Sequence, residues 1–185
     1  WRDETVGAED DFNVAGIGQA GENLVKYAAI MNDLHRAAGR CGVGAVMGSK
    51  KLKAIACLGS GGVQVANMGV FWGTVSGHQA ADLLTDQNLW AKKNGTPMLI
   101  DVTNEMGIHP TRNYTLGVNP KRQGLNSEAI KSVKIGDRAC ASCPLGCGKF
   151  TSLNGVEMEG PEYETLCLGG SNCEISDLEQ VMRFN

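Results

Sequence analysis

With 185 residues, 42% hydrophobic and 20% charged, the chain is a globular one long enough for one ordinary domain or two small ones. Its net charge of −3 and sequence pI near 5.6 leave no basic footprint, which argues against nucleic acid as a partner. No apolar run approaches the ~20 residues that a membrane span needs. Seven cysteines, three of them within eight residues, suit reduced thiolates in a cytoplasm better than a secreted disulfide framework.

In chain order, Trp1 to Asn13 is polar and acidic, a helix or a loop. Val14 to Ile17 reads as a short strand ending in the turn Gly18-Gln19-Ala20-Gly21, and Leu24 to Met31 fits either period. After the Gly- and Ala-dense stretch from His35 to Gly48, the apolar run Leu52 to Leu58 reads as a strand. Gly59, Gly61 and Gly62 mark a boundary, giving domains 1–60 and 63–185. Beyond it, Val75 to Leu89 and Pro97 to Met106 read as helices, with Pro97 suited to a first turn. Ser127 to Val133 reads as a short helix capped by Asn126 or Ser127. Ser176-Asp177-Leu178-Glu179 has the form of a capping box ahead of Val181 and Met182. Opening on Trp1 and stopping at Asn185 inside a helical pattern, the chain reads as an internal piece of a longer protein.

The chemistry concentrates in two places. Cys140, Cys143 and Cys147 form a C-x2-C-x3-C array, and Pro144, Gly146 and Gly148 supply turn residues that let a backbone wrap a soft metal centre. A zinc knuckle would need a fourth ligand in a nearby pair, and Cys167 and Cys173 do not form one. The spacing therefore favours a 4Fe–4S cluster with its fourth cysteine elsewhere, zinc remaining the alternative. Earlier, Gly39, Gly42, Gly44 and Gly48 are interleaved with Arg36, Arg40 and Lys50. Such a backbone can approach an anion closely and offer amides and guanidinium groups to its charge. A glycine-rich turn packed between two elements accounts for the same residues. Neither a P-loop nor a dinucleotide-binding G-x-G-x-x-G is present there.

Four stretches then carry a resemblance. IGQAGENLVKYA from Ile17, HRAAGRCGVGAVMGSKKLKAIA from His35, CASCPLGCGKF from Cys140 and EGPEYETLCLGGSNCEISDLE from Glu159 resemble successive signature stretches of the aldehyde:ferredoxin oxidoreductases. The resemblance implies an α+β fragment: the end of a β-rich pterin-binding domain, then the first part of a mainly helical domain carrying iron–sulfur ligands. It implies a tungsten (or molybdenum) atom held by two pterins, a Mg2+ ion bridging their phosphates, and an adjacent 4Fe–4S cluster. It also implies oxidation of a small aldehyde to a carboxylic acid, ferredoxin as electron acceptor, and a homo-oligomer at full length.

Carried to this sequence, Cys140, Cys143 and Cys147 match the first three cluster ligands, the fourth lying downstream of Asn185. Arg40, the carbonyl of Cys41, Gly42 and Gly44 match the region that approaches the pterin phosphates and their Mg2+. Glu162 and Glu164 fall where the family places a glutamate near tungsten, as a base or an orienter of the aldehyde. Their alternation does not say which of them faces inward, and both could equally be ordinary surface or ion-paired acids. His35 and His78 are scattered; His109 is a candidate for the substrate channel. Cys57 reads as strand core, and Cys167 and Cys173 as buried small hydrophobes. Two rivals stand beside this reading: a tungsten-dependent ring reductase of the benzoyl-coenzyme A type, and an iron–sulfur electron-transfer module without enzymatic activity.

Overall fold

The computed structural model describes residues 12–33, 36–59, 61–78, 85, 88–140 and 142–184. The chain packs as two compact units, residues 1–66 and 67–185. Both helices and sheets are present, the α+β class.

In the first unit, four short strands form one antiparallel sheet in the order β3-β2-β1-β4: β1 (Asn13–Gly16), β2 (Ile30–Asn32), β3 (Arg36–Ala38) and β4 (Ala54–Cys57). Val14 on β1 is buried, and its amide donates to Asp33 Oδ1 at 2.6 Å, which ties the turn after β2 back to β1. A single helical turn, α1 (Gln19–Glu22), and α2 (Val43–Ser49) pack against each other. Ile17, Ala28 and Met47 fill the small core of this unit. Leu24 to Met31, which fits either period in the sequence, is a loop that enters β2.

The second unit gathers short helices on an antiparallel meander. Its helices are α3 (Met68–His78), α4 (Leu89–Asn94), α5 (Leu99–Glu105), α6 (Ser127–Val133) and α7 (Leu178–Met182). The meander runs β5 (Lys134–Arg138), β6 (Gly148–Leu153) and β7 (Val156–Glu159) in sheet order. Ile100 from α5, Leu125, Ile130 from α6, Leu166 and Val181 from α7 make the core, with Tyr163, Ile175 and Leu178 packed around it. Asn126 caps α6 by accepting from the amides of Glu128 and Ala129, satisfying two of the donors that a helix start leaves open. By contrast α3 buries none of its residues and leaves Met68, Val70, Phe71 and Trp72 exposed.

Several expectations are corrected. One helix over 75–89 does not form: α3 ends at His78, and Thr85 and Asn88 lie in the bend and turn that lead into α4. The stretch 79–84 between them, like His35, lies outside the described residues. The helix expected at 97–106 begins as a 3-10 turn, Thr96–Met98, and becomes α5 only at Leu99. At the chain end the cap is Asp177, accepting from the amide of Gln180, not Ser176. Cys57 and Cys173 are exposed rather than buried, whereas Cys167 is buried as expected. The sequence pattern marks no strands between 134 and 159, yet three stand there, and on β6 the usual alternation is inverted. Lys149 and Thr151 face the interior of β6, while Phe150 lies on the other face beneath the Arg138 guanidinium at 4.4 Å.

Candidate functional site

In the first unit, the glycine-rich segment forms a tight turn into α2. Cys41 and Gly42 both adopt left-handed backbone, with φ of 63° and 65°. A Cβ at Gly42 would lie 1.9 Å from the carbonyl oxygen of Lys26, and one at Gly44 2.4 Å from that of Ala29. The close approach read from these glycines is thus made to the chain's own backbone, and the amide of Gly44 bonds to the Ala28 carbonyl at 2.9 Å. What the turn leaves open is Arg40 and Cys41, both exposed. A surface guanidinium can meet an anion, and a backbone carbonyl oxygen such as that of Cys41 is the kind of group that ligates a hard cation.

In the second unit, Cys140, Cys143 and Cys147 all lie on the loop that joins β5 to β6. The amide of Cys143 donates to the carbonyl of Cys140 at 3.0 Å, closing a turn, and left-handed Ser142 and Gly146 bend the loop twice. None of the three is in a disulfide; Cys140 is exposed and the others half-buried. In donor chemistry the loop fits three corners of an iron–sulfur cluster. Among the described residues, however, no three His, Cys, Asp or Glu side chains come close enough together to hold one metal ion. The loop carries three thiols without gathering them.

Beneath this loop lies a residue that the sequence reading does not single out. Lys149 is 3% exposed, and its ammonium group donates to the carbonyl of Lys92 at 2.8 Å and pairs with Asp137 Oδ1 at 3.0 Å. It also comes within 3.5 Å of the Gly146 carbonyl, inside the cysteine loop. A buried ammonium is tolerated only when acceptors replace its water, and here the carbonyls at the loop's base do so. The Lys134 and Lys149 hydrogen bonds hold Asp137 below the usual carboxylate range, although burial pushes it the other way.

The meander also fixes where the acidic segment emerges. Phe150 pairs with Glu159 and Arg138 with Gly148, so the start of β6 and the end of β7 lie at one end of the sheet. Cys147 enters β6 at that end, and Gly160-Pro161-Glu162 leaves β7 there. Gly160 donates to the Lys149 carbonyl and sits so tightly on β6 that a Cβ would lie 2.8 Å from Thr151 Cγ2. The turn after α4 touches both sides. A Cβ at Gly95 would lie 2.8 Å from the Cys147 carbonyl, and the next residue, Thr96, donates its hydroxyl to Glu162. Gly95 and Thr96 could not be found by motif, since their part is set by a contact distant in sequence.

The two glutamates differ. Glu162 is half-buried and held by Thr96. Glu164 is exposed and opens the π-helical turn Thr165–Gly170, a geometry frequent at functional sites. Between them, Tyr163 is pushed above its ordinary phenol range by burial. His109 is fully buried, with Nδ1 3.0 Å from Thr103 Oγ1. His78, at the end of α3, is exposed and far in sequence from these groups.

Comparison with known proteins gives this arrangement a family. Residues 2–59 match the model described as aldehyde ferredoxin oxidoreductase, N-terminal domain, and residues 77–185 match that for domains 2 and 3. The chain belongs to the aldehyde ferredoxin oxidoreductase family. It is 45% identical over 184 residues to the tungsten-containing aldehyde ferredoxin oxidoreductase of Pyrococcus furiosus, covering 97% of this chain and 30% of that protein. The protein of the same name from Thermococcus kodakarensis is 45% identical over 178 residues, covering 94% and 29%. An aliphatic sulfonate oxidoreductase, WOR-like subunit, from Pyrococcus furiosus is 31% identical, covering 90% and 27%. Among solved structures, the active-site complex of a benzoyl coenzyme A reductase with 1,5-dienoyl-CoA aligns at a TM-score of 0.65 and 24% identity, covering 95% of this chain and 29% of that one. That last likeness is one of fold. The chain thus spans under a third of the length of these oxidoreductases.

Proposed function

We propose that the full-length protein oxidises a small aldehyde to the carboxylic acid, RCHO + H2O → RCOOH + 2 H+ + 2 e−, and passes the electrons to ferredoxin. The observation that carries this reading is the meander end, where the cysteine loop and the Glu162–Glu164 segment leave the sheet together. A redox group held by one and a carboxylate offered by the other is what an electron-and-proton reaction requires. Cys140, Cys143 and Cys147 would hold three corners of a 4Fe–4S cluster. The domain to residue 60 would contribute to a tungsten-bis-pterin site, with Arg40 and the Cys41 turn at the pterin phosphates and their Mg2+. When bound, these groups supply two-electron oxidation and one-electron relay.

The chain's own residues do the positioning and the proton chemistry. Glu162, already engaged by Thr96, orients the segment. Glu164, exposed at the start of the π turn, is the carboxylate free to take a proton from water or to hydrogen-bond the aldehyde. Lys149 anchors the cysteine loop from below.

Metal analysis with EPR on the full-length protein, coupled to aldehyde-dependent ferredoxin reduction, tests the proposal. Tungsten with four irons per chain and aldehyde turnover is the expected result. Zinc without iron overturns it, and turnover of an aromatic coenzyme A thioester in place of aldehydes would transfer the site to ring reduction.

A further inference from the structure

The buried polar group that the proposed mechanism leaves unused is His109. It follows α5 in the loop that returns at Gly117, whose carbonyl accepts its amide at 2.9 Å, and its side chain is 0% exposed. Its state is assigned from the contacts around Thr103. The Thr103 hydroxyl has one proton, which goes to the Leu99 carbonyl at 2.7 Å. Its oxygen then only accepts: from the Tyr163 hydroxyl at 3.3 Å and from His109 Nδ1 at 3.0 Å. With the Thr103 proton placed on Leu99, the imidazole proton is assigned to Nδ1. Burial lowers the pKa of His109 against the opposing pull of Asp101, in keeping with a neutral ring. Nε2 is left as a bare, buried lone pair with no partner among the described residues.

Tyr163 is consequently held at both ends. Its amide donates to Thr96 Oγ1 at 3.0 Å, and Thr96 in turn donates to Glu162. Its hydroxyl meets both the Cys167 thiol and Thr103 Oγ1, the latter shared with His109, and the two rings lie 6.3 Å apart at 58°. With the Thr103 proton assigned to a main-chain carbonyl, this route carries no proton from tyrosine to histidine. The arrangement can only orient.

We propose that His109, as the neutral Nδ1–H tautomer, is a positioning residue of the active site: through Thr103 it fixes Tyr163 and hence the Glu162–Glu164 carboxylates beside it. This rests on the oxidoreductase reading above. The bond that matters is the one from Nδ1, so an asparagine, whose amide nitrogen falls near Nδ1, replaces it and a leucine does not.

The test uses the full-length, cofactor-loaded protein, with His109→Leu, His109→Asn, Thr103→Val, Thr103→Ser and the double variant His109→Leu/Thr103→Val. Loss of positioning shows in kcat, because misplacing a reacting group by an ångström can cost ~100-fold. The expected result is a kcat lower by ~10-fold or more in His109→Leu and Thr103→Val, with KM within about twofold. His109→Asn and Thr103→Ser return most of it, and the double variant is no worse than either single one. Tungsten and iron contents stay at the wild-type level throughout. A His109→Leu kcat within twofold of wild type, or a His109→Asn no better than His109→Leu, overturns the proposal. Should the leucine variant lose its metals, the Thr103→Val and Thr103→Ser pair decides by the same criterion. A wild type without aldehyde turnover removes the functional reading and this inference with it; an active wild type with indifferent variants removes the inference alone.

Discussion

Replacing Asn126 with alanine probes the step that joins helix to cysteine loop. Asn126 is 7% exposed; its Oδ1 accepts from the amides of Glu128 at 3.1 Å and Ala129 at 3.3 Å, and its Nδ2 donates to Asp101 Oδ2 at 3.0 Å. Loss of the cap costs ~1 kcal/mol. The bond to the Asp101 carboxylate would contribute more in a dry interior, but that side chain is 34% exposed and keeps Arg122 at 2.9 Å, so about 1 kcal/mol is its share. Together the two terms weaken local structure by ~2 kcal/mol, or a ~30-fold rise in the population of opened α6. Since α6 runs directly into β5, and β5 into the cysteine loop, the loosening travels along the chain toward the ligands. Hydrogen exchange followed by mass spectrometry on peptides covering 127–138 reads this as ~30-fold faster exchange of the α6 amides. Asn126→Ser keeps a capping oxygen and recovers about half the free energy. Unchanged exchange in Asn126→Ala would refute both the cap and the argument built on it.

Two further outcomes follow from the same geometry. Lys149→Met keeps the length of the side chain but strips the donor from the Lys92 and Gly146 carbonyls, a loss of ~1–3 kcal/mol that should speed exchange in the 139–147 loop by ~5-fold or more. Iron retained per chain should fall with it; wild-type iron and exchange would remove Lys149 from its anchoring role. The second concerns pH. Because the folded His109 holds its pKa below the ordinary value near 6.5, the unfolded chain binds more protons once pH falls under ~6.5. Its contribution to stability is therefore complete above that pH and lost on going down toward the depressed folded value, by at most ~1.4 kcal/mol per pH unit. Asp137, whose pKa is lowered, loses its contribution only further down, below the ordinary carboxylate range. Thermal midpoints between pH 7 and 5 should drop in the wild type and stay flatter in His109→Asn; parallel curves would contradict the burial assigned to the imidazole.

What the sequence made legible was local. The strand at Val14, the strand Ala54–Cys57 inside the expected run from Leu52 to Leu58, the α6 cap at Asn126 and the cysteine spacing are each determined by residues adjacent in the chain, so pattern and turn chemistry reach them. The meander was not legible, because β6 turns Lys149 and Thr151 inward and so reverses the signal on which strand recognition depends. The glycines were legible as points of close approach, but not in what they approach: Gly42 and Gly44 meet the backbone of Lys26 and Ala29. Spacing alone also could not divide Glu162 from Glu164, since the distinction arises from Thr96, which reaches Glu162 across 66 positions of sequence.

The residues that organise the candidate site are for this reason mostly not its motif residues. Cys147 and Glu162 each have a motif to announce them, but what places them at one sheet end is the pairing of Phe150 with Glu159 and of Arg138 with Gly148. What ties the two sides together is Lys149 reaching Lys92, with Gly95 against the Cys147 carbonyl and Thr96 on Glu162. The short stretch from Lys92 to Thr96 therefore supports the cysteine loop and the carboxylate segment at once. A displacement there moves both, so the electron-carrying and proton-carrying halves of the proposed reaction share one mechanical support.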